Sequence, residues 1–511
     1  MNRRDFLKIN VGSAAACLVS SPKLYAAATK ENPNLLIIMT DEHNFRTLGC
    51  YRKLLSKDQA MIWGDGNIVE TPHIDKLAEE GVLCNNFYAS SPVCSPARGS
   101  FISGQYPQNT PVIDNNTHMS DDVVSFGSIL QSHGYTTGYS GKWHLDGDGK
   151  PQWGPERQFG FEDNRYMFNR GHWKKILDTA SGPKIGAEKR GTPTYDVNGA
   201  DENTYTTDWL TNKTIDFITQ HKASPFCYMV SYPDPHGPDT VRAPYDTMYT
   251  HMNFQKPKTA SKKQDNLPSW ATTKRGAANQ SQYYGMIKCI DDNIARIMTC
   301  LDEQGILENT IVVFTSDHGD MRGEHGRQNK GIPLEASAKV PFIVRYPKKI
   351  SSGKIVNEAL SGVDFLPTIL GLMDKETAGK EEGRDGSQLL HGKVPTGWSD
   401  VTFIRGTKEK WVAAITDQYK LVMAPWDEPW LIDKKNNPDE TINYINDPQY
   451  RSVIRSLAKE MQRYGTKYND PSFTKATMKQ DIEWALSDSP IYVNPRPKKI
   501  DPPLKTKKKK A

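Results

Sequence analysis

The sequence predicts an α/β protein, a sheet with helices on both faces followed by a smaller α+β subdomain. Three observations carry this. Four continuous apolar runs of strand length, residues 34–40, 226–232, 310–316 and 340–345, read as strands buried on both faces. Segments with helical spacing alternate with them, as in the crossover units of an open sheet. Three of the runs end in acidic residues or histidine: Asp41-Glu42, Asp234-Pro235-His236 and Asp317-His318. Ligands of open α/β sheets sit beyond the carboxyl ends of the strands. Three distant segments therefore aim their polar residues at one place.

The elements follow in chain order. Residues 34–40 (NLLIIMT) read as a buried parallel strand, and 74–80 as a helix ended by Gly81. Residues 125–133 read as a helix ended by Gly134, with a strand at 136–141. Residues 207–221 are helical, 226–232 (FCYMVSY) a strand, and 282–304 a long helix capped by Gly305. Residues 310–316 (TIVVFTS) and 340–345 complete the sheet. After about residue 395 the texture changes. Residues 411–424 and 430–434 read as antiparallel strands around a turn, and 447–464 as a closing helix. Segments 145–205 and 233–280 are long, rich in Gly and Pro, and aromatic, which suits loops lining a substrate cleft. The expected organisation is an export signal at 1–28, a catalytic α/β domain at 29–394, an α+β subdomain at 395–490 and a basic tail at 491–511.

Composition excludes several classes. With 511 residues, 37% of them hydrophobic and 10% aromatic, the chain can bury a large core. Its formal charge is +5 from 65 basic and 60 acidic residues, a poor basis for nucleic-acid binding. Without a run of about 18 apolar residues no transmembrane segment is expected. Seven cysteines without CxxC spacing fit neither a zinc ribbon nor a small disulfide scaffold. Arg3-Arg4, Phe6-Leu7-Lys8, a stretch of small residues and Ala26-Ala27-Ala28 resemble a twin-arginine export signal. A periplasmic or secreted location follows, with lipid anchoring at Cys17 as the second choice. Removing residues 1–28 takes away four basic residues and one acidic one and leaves +2. The Pro- and Lys-rich tail reads as solvated and disordered.

The most informative stretch is Cys94-Ser95-Pro96-Ala97-Arg98. On a helix, Cys94 and Arg98 share a face, and Pro96 fits the first turn. The backbone N–H groups of a helix start favour an anion. From the residues alone this is a nucleophile beside an anion site, with a buried core cysteine as the alternative. The stretch is similar to the C-x-P-x-R signature of the formylglycine-dependent (type I) sulfatases of the alkaline-phosphatase-like superfamily. Asp41-Glu42, Gly141-Lys142-Trp143-His144, Asp234-Pro235-His236, Ser316-Asp317-His318-Gly319 and Gly323-Glu324-His325-Gly326 with Lys330 follow the family order, and Asp417-Gln418-Tyr419-Lys420-Leu421 resembles a strand of its second domain. The resemblance spans roughly residues 33–465.

That resemblance implies an alkaline-phosphatase-like mixed sheet and hydrolysis of sulfate esters on a sulfated carbohydrate. It implies oxidation of Cys94 to formylglycine by a formylglycine-generating or anaerobic sulfatase-maturing enzyme. It implies a metal site of Asp41, Glu42, Cys94, Asp317 and His318 holding Ca²⁺, with Mg²⁺ the second choice. Glu42 stands where many members have Asp, and His318 where some have Asn. Arg98, Lys142 and Lys330 would hold the formylglycine oxygens and sulfate, His236 would protonate the leaving group, and His144 would be the base that releases sulfate. Burying unpaired carboxylates is costly, which favours a cation over a structural role for the acids. His43, His73, His118 and His325 are not assigned. A phosphonate or phosphate ester hydrolase and a non-catalytic carbohydrate-binding relative remain as alternatives. In or near the 145–205 loops, Trp143, Trp153, Tyr166, Phe168 and Trp173, with Arg157, Arg165, Arg170 and His172, are the expected sugar contacts. Cys289 and Cys300, eleven residues apart on one helix, lie roughly 16 Å apart and cannot bridge each other.

Overall fold

The computed structural model describes residues 32–260, 268–271, 276 and 278–496. The export segment, Cys17 and residues 497–511 of the basic tail lie outside them. The chain from Pro33 onward belongs to one compact unit.

Eight strands form the central sheet: β1 (Asn34–Asp41), β2 (Val82–Cys84), β3 (Thr136–Lys142), β4 (Met167–Phe168), β5 (Phe226–Pro235), β6 (Thr310–Ser316), β7 (Phe342–Arg345) and β8 (Lys354–Val356). Their order is β8-β2-β7-β6-β1-β5-β3-β4. β1 lies parallel to β5 and β6, and β5 parallel to β3. β7 runs antiparallel to β6 and β2, which makes the sheet mixed. Parallel pairing brings the carboxyl ends of β1, β3, β5 and β6 to one edge, the edge the sequence marks with polar residues.

Eight buried residues in a row fit β1 because both faces of the sheet are covered. Leu35, Ile37 and Met39 pack into one core with α2 (Cys94–Ser103), α3 (Phe126–Ser132) and α6 (Gly362–Leu372). Leu36 and Ile38 pack into a second core with α1 (Pro72–Glu80), α4 (Thr206–His221) and α5 (Gln280–Glu303). The period of two along one strand thus divides the helices into two layers.

Four further strands, β9 (Thr402–Arg405), β10 (Val412–Ile415), β11 (Tyr419–Ala424) and β12 (Asp427–Asp433), form an antiparallel sheet in chain order. One face packs on α7 (Arg451–Lys467) and α8 (Ala476–Leu486). The other face covers Tyr88, Ile332 and Leu334 of the main body, just beyond Lys330.

The structure differs from the sequence reading at short elements. The last main-sheet run starts at Phe342 rather than 340, because Val340 donates its N–H to Phe87 outside the ladder. The closing helix starts at Arg451 after a single turn at Pro448–Tyr450. β9 and α8 carry too little pattern to stand out in sequence. The 145–205 segment is not only loop: β4 joins the main sheet, and Ile176–Thr179 pairs with Gly182–Ile185 as a hairpin. The six described cysteines are all buried and free. No described helix is long and apolar enough to cross a membrane.

Candidate active site

Cys94 opens α2, which is buried along its whole length and ends at Gly104 with φ +69°. Arg98, one turn on, ties the strand ends together. Its Nε donates to Asp317 Oδ2 at 2.9 Å, and its Nη1 donates to the Lys142 carbonyl and to Ser231 Oγ, both at 2.7 Å. Its Nη2 is 3.6 Å from Asp41 Oδ2 and makes no hydrogen bond.

Asp41 ends β1, where the register against β5 shifts between Met39 and Asp41. Such irregularities re-aim side chains. Asp317 and His318 follow β6 directly. Asp41, Cys94, Asp317 and His318 each offer a ligand atom within 4.8 Å of one another, all buried. Cys94 Sγ is 3.2 Å from His318 Nε2 and 3.9 Å from Asp41 Oδ1. His318 Nδ1 lies 3.0 Å from the Gly319 carbonyl, which turns Nε2 toward the cluster.

Glu42 stands beside this group rather than within it. Its Oε2 lies 2.9 Å from Lys330 Nζ and 2.8 Å from His236 Nε2, while its Oε1 is buried without a partner. Lys330 Nζ also lies 2.7 Å from His236 Nε2. Lys142, at the end of β3, contacts Asp41 Oδ2 and reaches His172 Nε2 at 2.9 Å. His144 Nε2 is 3.2 Å from Asn116 Oδ1, and its Nδ1 is buried and unpartnered. Glu42 and His144 have φ of +64° and +62°, a region that non-glycine residues rarely occupy outside strained sites.

The acids are partly paired within the protein. Three carboxylates (Asp41, Glu42, Asp317) face three cations (Arg98, Lys142, Lys330), so the ion pairs set aside in the sequence reading are present beside the cluster. Burial raises the Asp41 carboxyl, but Lys142, His236, His172 and Arg98 outweigh it and hold the group well below its ordinary value. Burial and the charge on Asp41 push Asp317 up. Two like charges this close are what a divalent cation relieves. Burial raises Glu42 too, and His236 with Lys330 pulls it back well below normal. Burial holds the His144 imidazole down to about 4. His172 is pushed well below its ordinary value by burial, then by His236 and Lys142.

All the expected site residues, Asp41, Glu42, Cys94, Arg98, Lys142, His144, His236, Asp317, His318 and Lys330, converge here. The unassigned histidines stay structural or peripheral. His43 bridges Thr40 and Thr47, the His73 N–H donates to Asp291, and His118 sits beside Asp146. His325 donates its N–H to Thr259 and is held down to about 4 by burial. The expected sugar contacts need correction. Trp143, Phe168 and Trp173 are fully buried core residues, and Trp153 and Tyr166 pack against the core. Large aromatic surface belongs in the core unless something else claims it. Arg157 pairs with Asp121 and Asp146, Arg165 with Asp163, and Arg170 with Asp148. His172 reaches the site, though no motif marks it. Lys174, Asn116 and Ser231 were missed, because no local spacing distinguishes them.

A mixed α/β sheet with acids, a thiol and three cations gathered at one strand edge defines a hydrolase of anionic esters on an alkaline-phosphatase-like fold. The family model for Sulfatase matches residues 33–375, and that for the C-terminal part of N-sulphoglucosamine sulphohydrolase matches residues 323–467. The chain belongs to the sulfatase family and is a sulfuric ester hydrolase. It is 29% identical to the uncharacterized sulfatase YidJ of Escherichia coli over 86% of this chain and 88% of that one. It is 25% identical to the N-acetylglucosamine-6-O-sulfatase of Bacteroides thetaiotaomicron over 89% and 90%. The crystal structure of yidJ from Bacteroides fragilis superposes with a TM-score of 0.70 at 26% identity, over 88% of this chain and 99% of that one.

Proposed function

We propose that the chain removes sulfate from a sulfated carbohydrate, with formylglycine derived from Cys94 and one Ca²⁺ ion. The observation that carries this reading is the buried cluster of Asp41, Cys94, Asp317 and His318 ringed by Arg98, Lys142 and Lys330. The donor set fits a hard cation: carboxylate oxygens dominate it, and the orphaned Glu42 Oε1 offers one more. Asp41, Asp317 and His318 would hold the ion, with Glu42 as a further ligand. When bound, the cation supplies Lewis-acid polarisation, and formylglycine supplies, as its hydrate, a hydroxyl nucleophile with a second hydroxyl through which sulfate can leave.

The remaining chemistry belongs to this chain's own side chains. Lys142 and Lys330 draw in the sulfate and hold its oxygens, and Arg98, fixed by Asp317, would hold the formylglycine oxygens. These charges act in a largely dry site, where they count most. His236 holds a proton at Nε2, between Glu42 and Lys330, for the departing sugar oxygen. His144, whose Nδ1 is buried and unpartnered and whose ring is kept neutral by burial, takes the proton that accompanies sulfate release. A carbohydrate substrate is supported by the N-acetylglucosamine-6-O-sulfatase relative. The reading includes maturation by a sulfatase-maturing enzyme, export through the twin-arginine route and the division at residues 394/395.

The test is a panel of defined sulfated oligosaccharides given to matured enzyme, with desulfation read by mass spectrometry. Mass analysis of the Cys94 peptide should show the –CH2SH side chain converted to –CHO, with sulfur and two hydrogens lost and one oxygen gained. Desulfation of at least one sugar is expected and should vanish in Cys94→Ala. Turnover of phosphate or phosphonate esters with no sulfated sugar accepted would overturn the reading.

A further inference from the structure

The His172 ring lies flat on the His236 ring, with centroids 3.6 Å apart and planes 7° from parallel. Two residues later, the buried Lys174 ammonium donates to Asp234 Oδ1 at 2.6 Å and to the His236 carbonyl at 3.3 Å. One short segment therefore grips His236 twice, once by its ring and once by its backbone. We infer that His172 is a positioning residue, which together with Lys174 forms a bracket fixing the imidazole of His236 for proton transfer.

The bracket is itself anchored on both sides. Upstream, the Asn169 amide donates to the carbonyls of Asp146, Gly147 and Gly149. Gly171 has φ +121°, and a Cβ there would overlap the Trp173 indole. Trp173 is buried in the second core and donates from Nε1 to the Arg170 carbonyl at 3.0 Å. Downstream, Asp234 accepts from Tyr205 and Thr207 at 2.6 and 2.7 Å as well as from Lys174. Between a buried tryptophan and its glycine-dependent turn, His172 has little freedom to leave the stack.

The stack also completes the restraint on His236. The Nδ1 of His236 lies 2.8 Å from the Gly237 carbonyl, and its Nε2 faces Glu42 and Lys330. Those contacts fix the ring edge, and the stack fixes its plane. A proton donor must sit within about 2.6–3.2 Å of its acceptor, and a misplacement of about 1 Å costs on the order of 10²-fold. The other partners of His172 are Lys142 at 2.9 Å, Asp41 at 3.7 Å and, more distantly, the Tyr195 ring at 5.9 Å. They suggest the competing role, support of sulfate binding through Lys142.

The inference rests on the reading of His236 as the leaving-group acid, and the experiment separates the two. Full-length matured enzyme carries His172→Ala, His172→Phe, His236→Ala and the His172→Ala/His236→Ala pair. Each is assayed on a sulfated sugar, whose alkoxide leaves poorly, and on nitrophenyl sulfate, whose phenolate leaves well. His172→Ala should lower kcat on the sugar about 10-fold with KM little changed, and leave nitrophenyl sulfate within about 2-fold. His172→Phe keeps a flat face but no ring nitrogen, so it should restore most of the sugar rate. In the His236→Ala background, His172→Ala should cost nothing more. Equal losses on both substrates from His172→Ala, no recovery with Phe, or additive losses in the pair would each overturn the bracket. Should His236→Ala alone slow both substrates equally, the acid assignment fails. The cycle then decides the bracket alone, additivity against it and non-additivity for it.

Discussion

Asp317 serves two demands with one carboxylate. Its Oδ2 takes the Arg98 Nε–H, and its Oδ1 accepts the backbone N–H groups of Glu42 and His318 at 3.2 and 2.8 Å. Asp317→Asn preserves the shape and removes the charge that a divalent cation needs. The expected outcome is loss of bound metal by elemental analysis and a fall in kcat of about 10²–10³-fold, the scale for deleting one preorganised electrostatic group. Full metal occupancy in that variant would show the ligand assignment to be wrong. Lys330 makes a different prediction. Its ammonium contacts Glu42 and His236 at the mouth of the site, so Lys330→Ala should weaken both sulfate binding and proton donation. KM should rise and kcat fall together on a sulfated sugar, whereas inorganic sulfate should become a poorer inhibitor. Unchanged inhibition by sulfate would move Lys330 out of the oxyanion pocket. At this scale the site was legible wherever chemistry sits at a strand end, as at Asp41 and Asp317. His172 and Lys174 were not legible, because a long loop brings them in and sequence spacing carries no signal across such a loop.

The strand β3 shows how an element can fix a site through its least conspicuous residue. Gly141 precedes Lys142 at the point where β3 runs beside β5, with φ +91°, and a Cβ there would overlap the carbonyl of Ser231. Ser231 is also the residue whose hydroxyl accepts from Arg98. Gly141→Ala must therefore either strain a left-handed backbone or push β3 from β5. The expected cost is about 2–4 kcal/mol in unfolding free energy, read by urea denaturation. The fraction still folded should have lost activity, because Lys142 moves with the strand. A folded, fully active Gly141→Ala enzyme would disprove the close approach. Elements were legible in proportion to their apolar runs: β1, β5 and β6 are long and covered on both faces, so their sequences read as strands. β4 has two residues, and the hairpin of 176–185 buries only its end residues Ile176 and Ile185, so neither carries a pattern strong enough to read. The same limit misplaced Trp143, Phe168 and Trp173. Aromatic residues next to a polar motif suggest a cleft, yet Trp143 directly follows Lys142 at the end of β3 and packs into the first core, while Phe168 and Trp173 pack into the second.

The whole molecule depends on how its second sheet grips the first body. Lys420, within the motif that resembles a second-domain strand, is fully buried on β11. Its ammonium donates to the Pro333 carbonyl at 2.6 Å, to Glu335 Oε1 at 2.7 Å and to Glu440 Oε1 at 2.8 Å. Glu335 also accepts from the Tyr88 hydroxyl at 3.1 Å. Pro333 and Glu335 follow Lys330 by a few residues, so this network links the second sheet to the segment that carries a sulfate-facing lysine. Deleting one partner of a buried ion pair leaves the others uncompensated, which costs about 3–5 kcal/mol. Lys420→Ala should lose about that much stability at neutral pH, with loosening of the 330–338 segment visible as faster hydrogen exchange. The dependence on pH supplies the sharper test. Burial alone would raise the Glu335 carboxyl, but Lys420, Lys434 and Lys339 outweigh it and hold it well below its ordinary value. A carboxyl depressed in the folded state contributes stability in full above its unfolded value of about 4.3 and loses it as pH falls toward the folded value. Without Lys420 that depression shrinks, so the variant has less to lose on acidification. The gap in unfolding free energy between parent and Lys420→Ala should be widest near pH 7 and narrow below about pH 4.3. A gap that stays constant from neutral to acid pH would mean that Lys420 acts through packing of its stem rather than through the charge it places between Glu335 and Glu440.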